Sequence, residues 1–197
     1  MAASMHEATK VDVVALVASA GGLDALSDVL SDLPMDFPVP IVVQQHLGGH
    51  ASVLTTILAR RSRHEVGWAT DGGVLTPGQV AVCPARMQLQ VLPDGTCSLT
   101  PLAASKIHPH DVLLTSLADS YGGRALAVVL SGSGTDGAAG TTALKNVGAI
   151  VIAQSEDTSQ YASMPQAAIA AGADLALPLS EIGRVLNDVA HGQPLPG

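Results

Sequence analysis

The stretch VVALVASAGGLDALSDVL, Val13 to Leu30, decides the fold. It opens as an unbroken apolar run rich in Val and Leu, the pattern of a strand buried on both faces. It halts at Ser19, turns through Gly21-Gly22, and resumes with apolar residues at helical spacing. A strand that feeds directly into a helix through a tight glycine turn is half of a parallel βαβ unit. The spacing predicts a strand over Asp12–Val17 and a helix over Leu23–Leu33.

The same alternation continues outward. PVPIVVQQ (38–45) is a buried strand, and Ala51–Arg61 a helix. Short strand signals then cluster at Glu65–Thr70, Gln79–Pro84, Met87–Leu92 and Cys97–Leu102, the last two joined by LPDGT with its Asp-Gly hairpin signal. Beyond come a helix (Asp111–Tyr121), a strand (Ala125–Leu130), a helix (Gly137–Val147), a strand (Ala149–Ala153), a helix near Pro165–Ala171, a strand (Asp174–Leu177) and a last helix (Ser180–Val189). This order predicts an α/β fold: a doubly wound, mainly parallel sheet covered by helices on both faces, with an inserted β-hairpin. One domain is expected over residues 11–190, with loose termini at 1–10 and 191–197.

Composition agrees with that architecture. The 197 residues are 47% hydrophobic but only 2% aromatic, so the core must be built from Ala, Val, Leu and Ile. No apolar run approaches the ~18 residues of a membrane span and no charged-then-apolar stretch opens the sequence, so neither a membrane span nor a signal peptide is expected. Cys83 and Cys97 are too few for a disulfide framework and are expected as free thiols in a reducing cytoplasm. A net charge of -8 without a basic stripe argues against nucleic acid or an anionic membrane as partner.

In open α/β sheets, chemistry sits just outside the carboxyl ends of the strands. Ser19 follows the first strand, His46 the second, and Asp136, in SGSGTDG, the strand at Ala125–Leu130. A hydroxyl, an imidazole and a carboxylate in such places are the parts of a nucleophile, a base and an orienting acid. Each residue alone has a plainer reading. Ser19 is a candidate helix N-cap, His46 a structural histidine, and Asp136 a cap for the next helix. Amides opening the helix after Ser19 would favour a developing oxyanion. Gly132, Gly134 and Gly137 also satisfy G-x-G-x-x-G, with Glu156 and Asp157 about 20 residues on, as a dinucleotide site asks. Asp136 inside that loop would repel a pyrophosphate. His108, His110 and Asp111 lack a second cluster to complete a metal site and are expected as a helix-start pair.

At these positions the chain resembles the catalytic domain of the CheB family, the protein-glutamate methylesterases of bacterial chemotaxis. ASAGG (18–22) is similar to the family's Ala-Ser-Thr-Gly-Gly turn, and VVQQHL (42–47) to its Val-Gln-His segment. The stretch ARRSRHEVGWATDGGVLTPGQVAVCP (59–84), the turn VVLSGSGTDGAAG (128–140) and MPQAAI (164–169) resemble further family segments in order. The resemblance implies Ser19 as nucleophile, His46 as general base, Asp136 as orienting carboxylate, and the backbone amides of Ser133 and Ala20 as oxyanion donors. It implies hydrolysis of glutamate γ-methyl esters on the cytoplasmic helices of methyl-accepting chemoreceptors, with glutamine deamidation by the same acyl chemistry and no cofactor. A catalytically degenerate binding homologue is the alternative within the family. The chain departs from the pattern at Ala20 (usually Thr), at His-Pro-His-Asp 108–111 (usually Pro-Ser-Val-Asp) and at Arg86-Met87-Gln88 (usually Asp-Arg-His). The family usually carries an N-terminal receiver domain, which the 11 residues before the first strand are too few to hold; control is then expected from a separate receiver protein, from a fused region outside this sequence, or from substrate supply.

Overall fold

The computed structural model describes residues 10–46, 53–103 and 108–197. Residues 1–9 of the loose terminus expected over 1–10, and the start of the predicted helix at Ala51, lie outside them.

Strand β1 (Val13–Ala18) is buried at every position, as its unbroken apolar run requires. It leads into α1 (Gly22–Asp32), then β2 (Ile41–Gln45) and α2 (Leu54–Arg61). Two short strands follow, β3 (Glu65–Trp68) and β4 (Gln79–Val82), then the pair β5 (Met87–Val91) and β6 (Cys97–Pro101). The second half alternates α3 (Pro109–Tyr121), β7 (Ala125–Val129), α4 (Ala138–Asn146), β8 (Ile150–Gln154), α5 (Ser163–Ala170), β9 (Leu175–Leu177) and α6 (Leu179–Ala190). Seven strands form one sheet in the order β3-β4-β2-β1-β7-β8-β9, and every pairing in it is parallel. The antiparallel β5–β6 hairpin stands apart from that sheet. It docks on α3, where the Val91 N–H donates to Ser116 Oγ (3.0 Å) and Ser120 Oγ donates to the Val91 carbonyl (2.7 Å).

Period-two alternation along β1 divides the core into two layers. Val14, Leu16 and Ala18 face Leu26, Val29 and Leu30 of α1 together with Ile182 and Leu186 of α6. Val13, Ala15 and Val17 face Leu113, Leu114 and Leu117 of α3, with Leu144 of α4 and Met164 of α5. Each Val, Leu, Ile or Met among them contributes about 1.5–3 kcal/mol on burial. Past α6 the chain has no regular structure, but Leu195 packs against the first layer. No helix among the described residues is long and apolar enough to cross a membrane.

Strand order also fixes where a site forms. From β1 the chain passes to β2 on one side, while β7 pairs on the other. The order reverses beside β1, and a crevice opens there above the carboxyl ends of the strands.

Candidate active site

Three loops converge on that crevice. Ser19 is the first residue past β1. Its N–H donates to the Ser131 carbonyl (2.9 Å), and its own carbonyl accepts from the Gly22 N–H (2.9 Å) and from Gln45 Nε2 (2.7 Å). Gly21 takes φ 71°, a left-handed conformation open to glycine at no steric cost. A Cβ at Gly21 would also lie 2.6 Å from Gln160 Oε1 and 2.9 Å from Ser131 Oγ. The turn therefore holds Ser19 rigidly and from several sides. Behind it, Ser131 Oγ donates to the Ala20 carbonyl (2.8 Å), and the Ser131 N–H donates to Gln154 Oε1 (2.9 Å).

His46 is the first residue past β2, anchored by its N–H to the Ala18 carbonyl (3.0 Å). Its side chain is 34% exposed. Asp136 reaches the same point from the loop between β7 and α4, and its side chain is 7% exposed. His46 Nδ1 lies 3.1 Å from Ser19 Oγ, and His46 Nε2 lies 2.8 Å from Asp136 Oδ2. The structure thus brings Ser19, His46 and Asp136 into one hydrogen-bonded chain. Burial alone would push the Asp136 carboxyl up. The His46 hydrogen bond and the backbone N–H groups of His110 (3.0 Å) and Asp111 (2.9 Å) outweigh it and hold Asp136 below the ordinary carboxylate value. An ionised Asp136 fixes the tautomer. Nε2 carries the proton it donates to the carboxylate, and Nδ1 presents a lone pair to the Ser19 hydroxyl.

The capping readings of Ser19 and Asp136 do not hold. The N-cap of α1 is Gly21, without a side-chain bond, so the Ser19 hydroxyl is not spent on capping. The N-cap of α4 is Gly137, again without one. Asp136 instead accepts from the first turn of α3. The dinucleotide reading fails on donors. The Gly132 N–H is taken by the Tyr161 carbonyl (2.9 Å), that of Gly134 by Ser163 Oγ (3.0 Å) and that of Gly137 by Asp111 Oδ1 (2.9 Å). A pyrophosphate would find these amides occupied and two carboxylates beside it. By contrast, among the described residues nothing engages the backbone N–H of Ala20 or of Ser133.

His108 and His110 flank Pro109 at the start of α3. Ligand atoms of His46, His110 and Asp136, and of His108, Asp111 and Asp136, come close enough to be weighed as metal sets. Both sets are poor. The His46 and His110 rings are stacked, with planes 8° apart, so their in-plane lone pairs do not converge. Both Asp136 oxygens are already committed to N–H donors.

The sequence reading missed several contributors. His110 lies flat against His46, with ring centroids 4.1 Å apart. Gln45 and Ser131 brace the serine turn. Arg86 takes φ 60°, alone in positive φ among the described non-glycine residues. It borders a cavity of about 230 Å³ shared with Gln45, His46, Met87, Leu102 and Pro109. Its place among the departures from the family pattern was the one available signal.

Comparison with known proteins gives the chain a family. The sequence profile described as CheB methylesterase matches residues 14–186. A protein-glutamate methylesterase/protein-glutamine glutaminase of Anaeromyxobacter dehalogenans is 40% identical over 193 residues, 96% of this chain and 56% of the relative. One from Moorella thermoacetica is 40% identical over 190 residues, 92% of this chain and 45% of the relative. The chain therefore spans about half the length of these relatives. The crystal structure of the Thermotoga maritima CheB methylesterase catalytic domain superposes with a TM-score of 0.84 at 32% identity, covering 91% of this chain and 99% of that one.

Proposed function

The chain belongs to the CheB methylesterase family, and from that premise we propose that residues 11–190 form a serine esterase that hydrolyses glutamate γ-methyl esters on chemoreceptor helices to glutamate and methanol. The observation that carries the reading is the unbroken hydrogen-bonded chain Ser19–His46–Asp136 at the crevice beside β1.

Ser19 Oγ attacks the ester carbonyl while His46 Nδ1 takes its proton. Asp136 holds the Nε2–H and stabilises the imidazolium that forms. The unengaged amides of Ala20 and Ser133 are the donors for the oxyanion. As the tetrahedral intermediate collapses, His46 returns the proton to the methoxy oxygen and methanol leaves. Water, deprotonated by the same imidazole, then attacks the acyl-enzyme and frees the glutamate. An amide in place of the ester gives deamidation of glutamine, with ammonia as leaving group, as the names of the relatives carry both activities. The reaction needs no cofactor. On this reading the protein works in the cytoplasm, at receptor cytoplasmic helices, under control of a receiver module, as the family resemblance implies.

Methanol release from methylated receptor fragments tests this reading. Wild type is expected to turn over. Ser19→Ala is expected to fold normally and lose at least about 10³-fold in kcat, down to whatever the oxyanion donors and binding still supply. Near wild-type activity in a folded Ser19→Ala protein would refute the assignment.

A further inference from the structure

His110 stands outside the proton relay, yet it touches His46, Asp136 and the residue that precedes Ser19. Its backbone N–H donates to Asp136 Oδ2 (3.0 Å). Its ring stacks on the His46 ring at 4.1 Å between centroids. Its Nε2–H donates to the Ala18 carbonyl (3.1 Å), the group just before Ser19 that also receives the His46 N–H. The side chain is fully buried, and its Nδ1 has no hydrogen-bond partner. A buried nitrogen without a partner costs about 1–3 kcal/mol. An aliphatic side chain would avoid that cost, so the imidazole calls for a reason other than packing.

A flat face is what an aliphatic residue lacks. The torsion that sets an imidazole plane is soft, and the His46 ring is one-third exposed. Only one plane lets Nδ1 meet Ser19 while Nε2 meets Asp136. A parallel ring laid against it restricts rocking out of that plane. The Ala18 bond ties the second ring to β1, the strand that carries Ser19.

We propose that His110 is a positioning residue, whose stacked imidazole fixes the plane of His46 relative to Ser19 and Asp136; the proposal rests on reading those three as the esterase triad. Its own charge state suits the task. Burial, with His46 as a neighbour, pushes its pKa down to about 3 against the pull of Asp136 and the Ala18 carbonyl. The ring therefore stays neutral and does not oppose the imidazolium that forms on His46 during turnover.

Two variants separate the ring from the space it fills. His110→Ala removes the flat face. His110→Phe keeps it and gives up only the N–H donor. For methanol release from methylated receptor fragments, His110→Ala is expected to lower kcat roughly tenfold or more with KM unchanged, since a misplacement of about 1 Å costs up to ~10²-fold. His110→Phe is expected to recover most of that loss. The 15N shifts of His46 in the resting protein provide a readout independent of turnover. Wild type and His110→Phe should show Nε2 protonated and Nδ1 free, and His110→Ala a tautomer mixture. Unchanged kcat and unchanged shifts in folded His110→Ala overturn the proposal, as does a Phe variant no better than Ala. A wild type with the expected shifts but no ester hydrolysis would instead defeat the esterase reading and leave the positioning role standing.

Discussion

On Asp136 two demands meet in one carboxylate. It must stay ionised beside His46, and it must satisfy the amides that open α3. Both demands favour the charged form, which makes the site sensitive to acid. His110 adds to that sensitivity with a sign that can be worked out. Its folded pKa lies near 3 because burial disfavours the cation, while an unfolded histidine titrates near 6.5. Between those values the unfolded chain holds a proton that the folded chain does not. Its contribution to stability is thus complete above about pH 6.5, falls by up to ~1.4 kcal/mol per pH unit below it, and is gone near pH 3. Asp136, also lowered, acts the same way, but only below about 3.9, where an unfolded aspartate titrates. Buried His64, lowered chiefly by burial, acts with the same sign as pH falls below the ordinary histidine value. The melting temperature of wild type should therefore fall steadily from pH 7 to pH 4. His110→Phe, with nothing to titrate there, should fall less steeply without becoming flat. Parallel melting curves for the two proteins over that range would show that His110 does not resist protonation in the fold.

Between elements, the same residues build a reciprocal lock. Asp136, just ahead of α4, accepts from the N–H groups of His110 and Asp111 at the start of α3. Asp111, in the first turn of α3, accepts through Oδ1 from the N–H groups of Gly137 (2.9 Å) and Gly140 (2.8 Å) at the start of α4. Each helix thus receives its anion at the N-terminus from the other. The two approach closely because Gly140 has no Cβ; one there would sit 2.5 Å from Leu114 Cβ. Asp111→Ala should cost roughly 0.5–2 kcal/mol in urea denaturation, the usual price of a lost cap. It should also lower kcat with KM unchanged, because the loop carrying Asp136 loses its tether. Asp111→Asn, with one oxygen left to accept, should fall between. An Asp111→Ala protein as stable and as active as wild type would show the exchange to be idle. Little of this lock is legible in the sequence. The strands are legible, because buried parallel strands are written as apolar runs: β1 was expected over 12–17 and lies at Val13–Ala18. Ser19, His46 and Asp136 are legible because each follows such a run. Helix α3 begins at Pro109, two residues before the predicted Asp111, since proline suits the first helical position. The stacking of His110, the exchange of Asp111 and the left-handed Arg86 depend on how separate elements meet, and local pattern carries no record of that.

Across the whole molecule, the sheet has two ends with different duties. Its carboxyl edge carries Ser19, His46 and Asp136 on three different strand exits. Its amino edge holds a larger concavity than the one beside His46, about 470 Å³ bounded by Val11, Pro38, Pro77 and Tyr121, and among the described residues that line it no nucleophile is paired to a base. Size alone would choose that end; the chemistry chooses the other. The amino edge is held by ordinary surface contacts. Arg124 pairs with Asp12 at the start of β1 and lies over the Tyr121 ring, 5.8 Å from its centroid. Its side chain is 54% exposed, so solvent screens the ion pair. The Asp12 N–H also donates to the Arg124 carbonyl (2.8 Å), a bond that survives loss of the side chain. If catalysis belongs to the carboxyl edge alone, Arg124→Ala should cost no more than about 1 kcal/mol of stability. Its kcat and KM for methanol release should match wild type, because β1 keeps its register with β2 and β7 and still delivers Ser19 to the same point. Thermal denaturation and steady-state kinetics on the one variant check both halves of the expectation. A tenfold loss of kcat in a fully folded Arg124→Ala protein would mean that strain at the amino edge travels the length of β1 to the serine turn. The two edges would then have to be treated as one coupled unit.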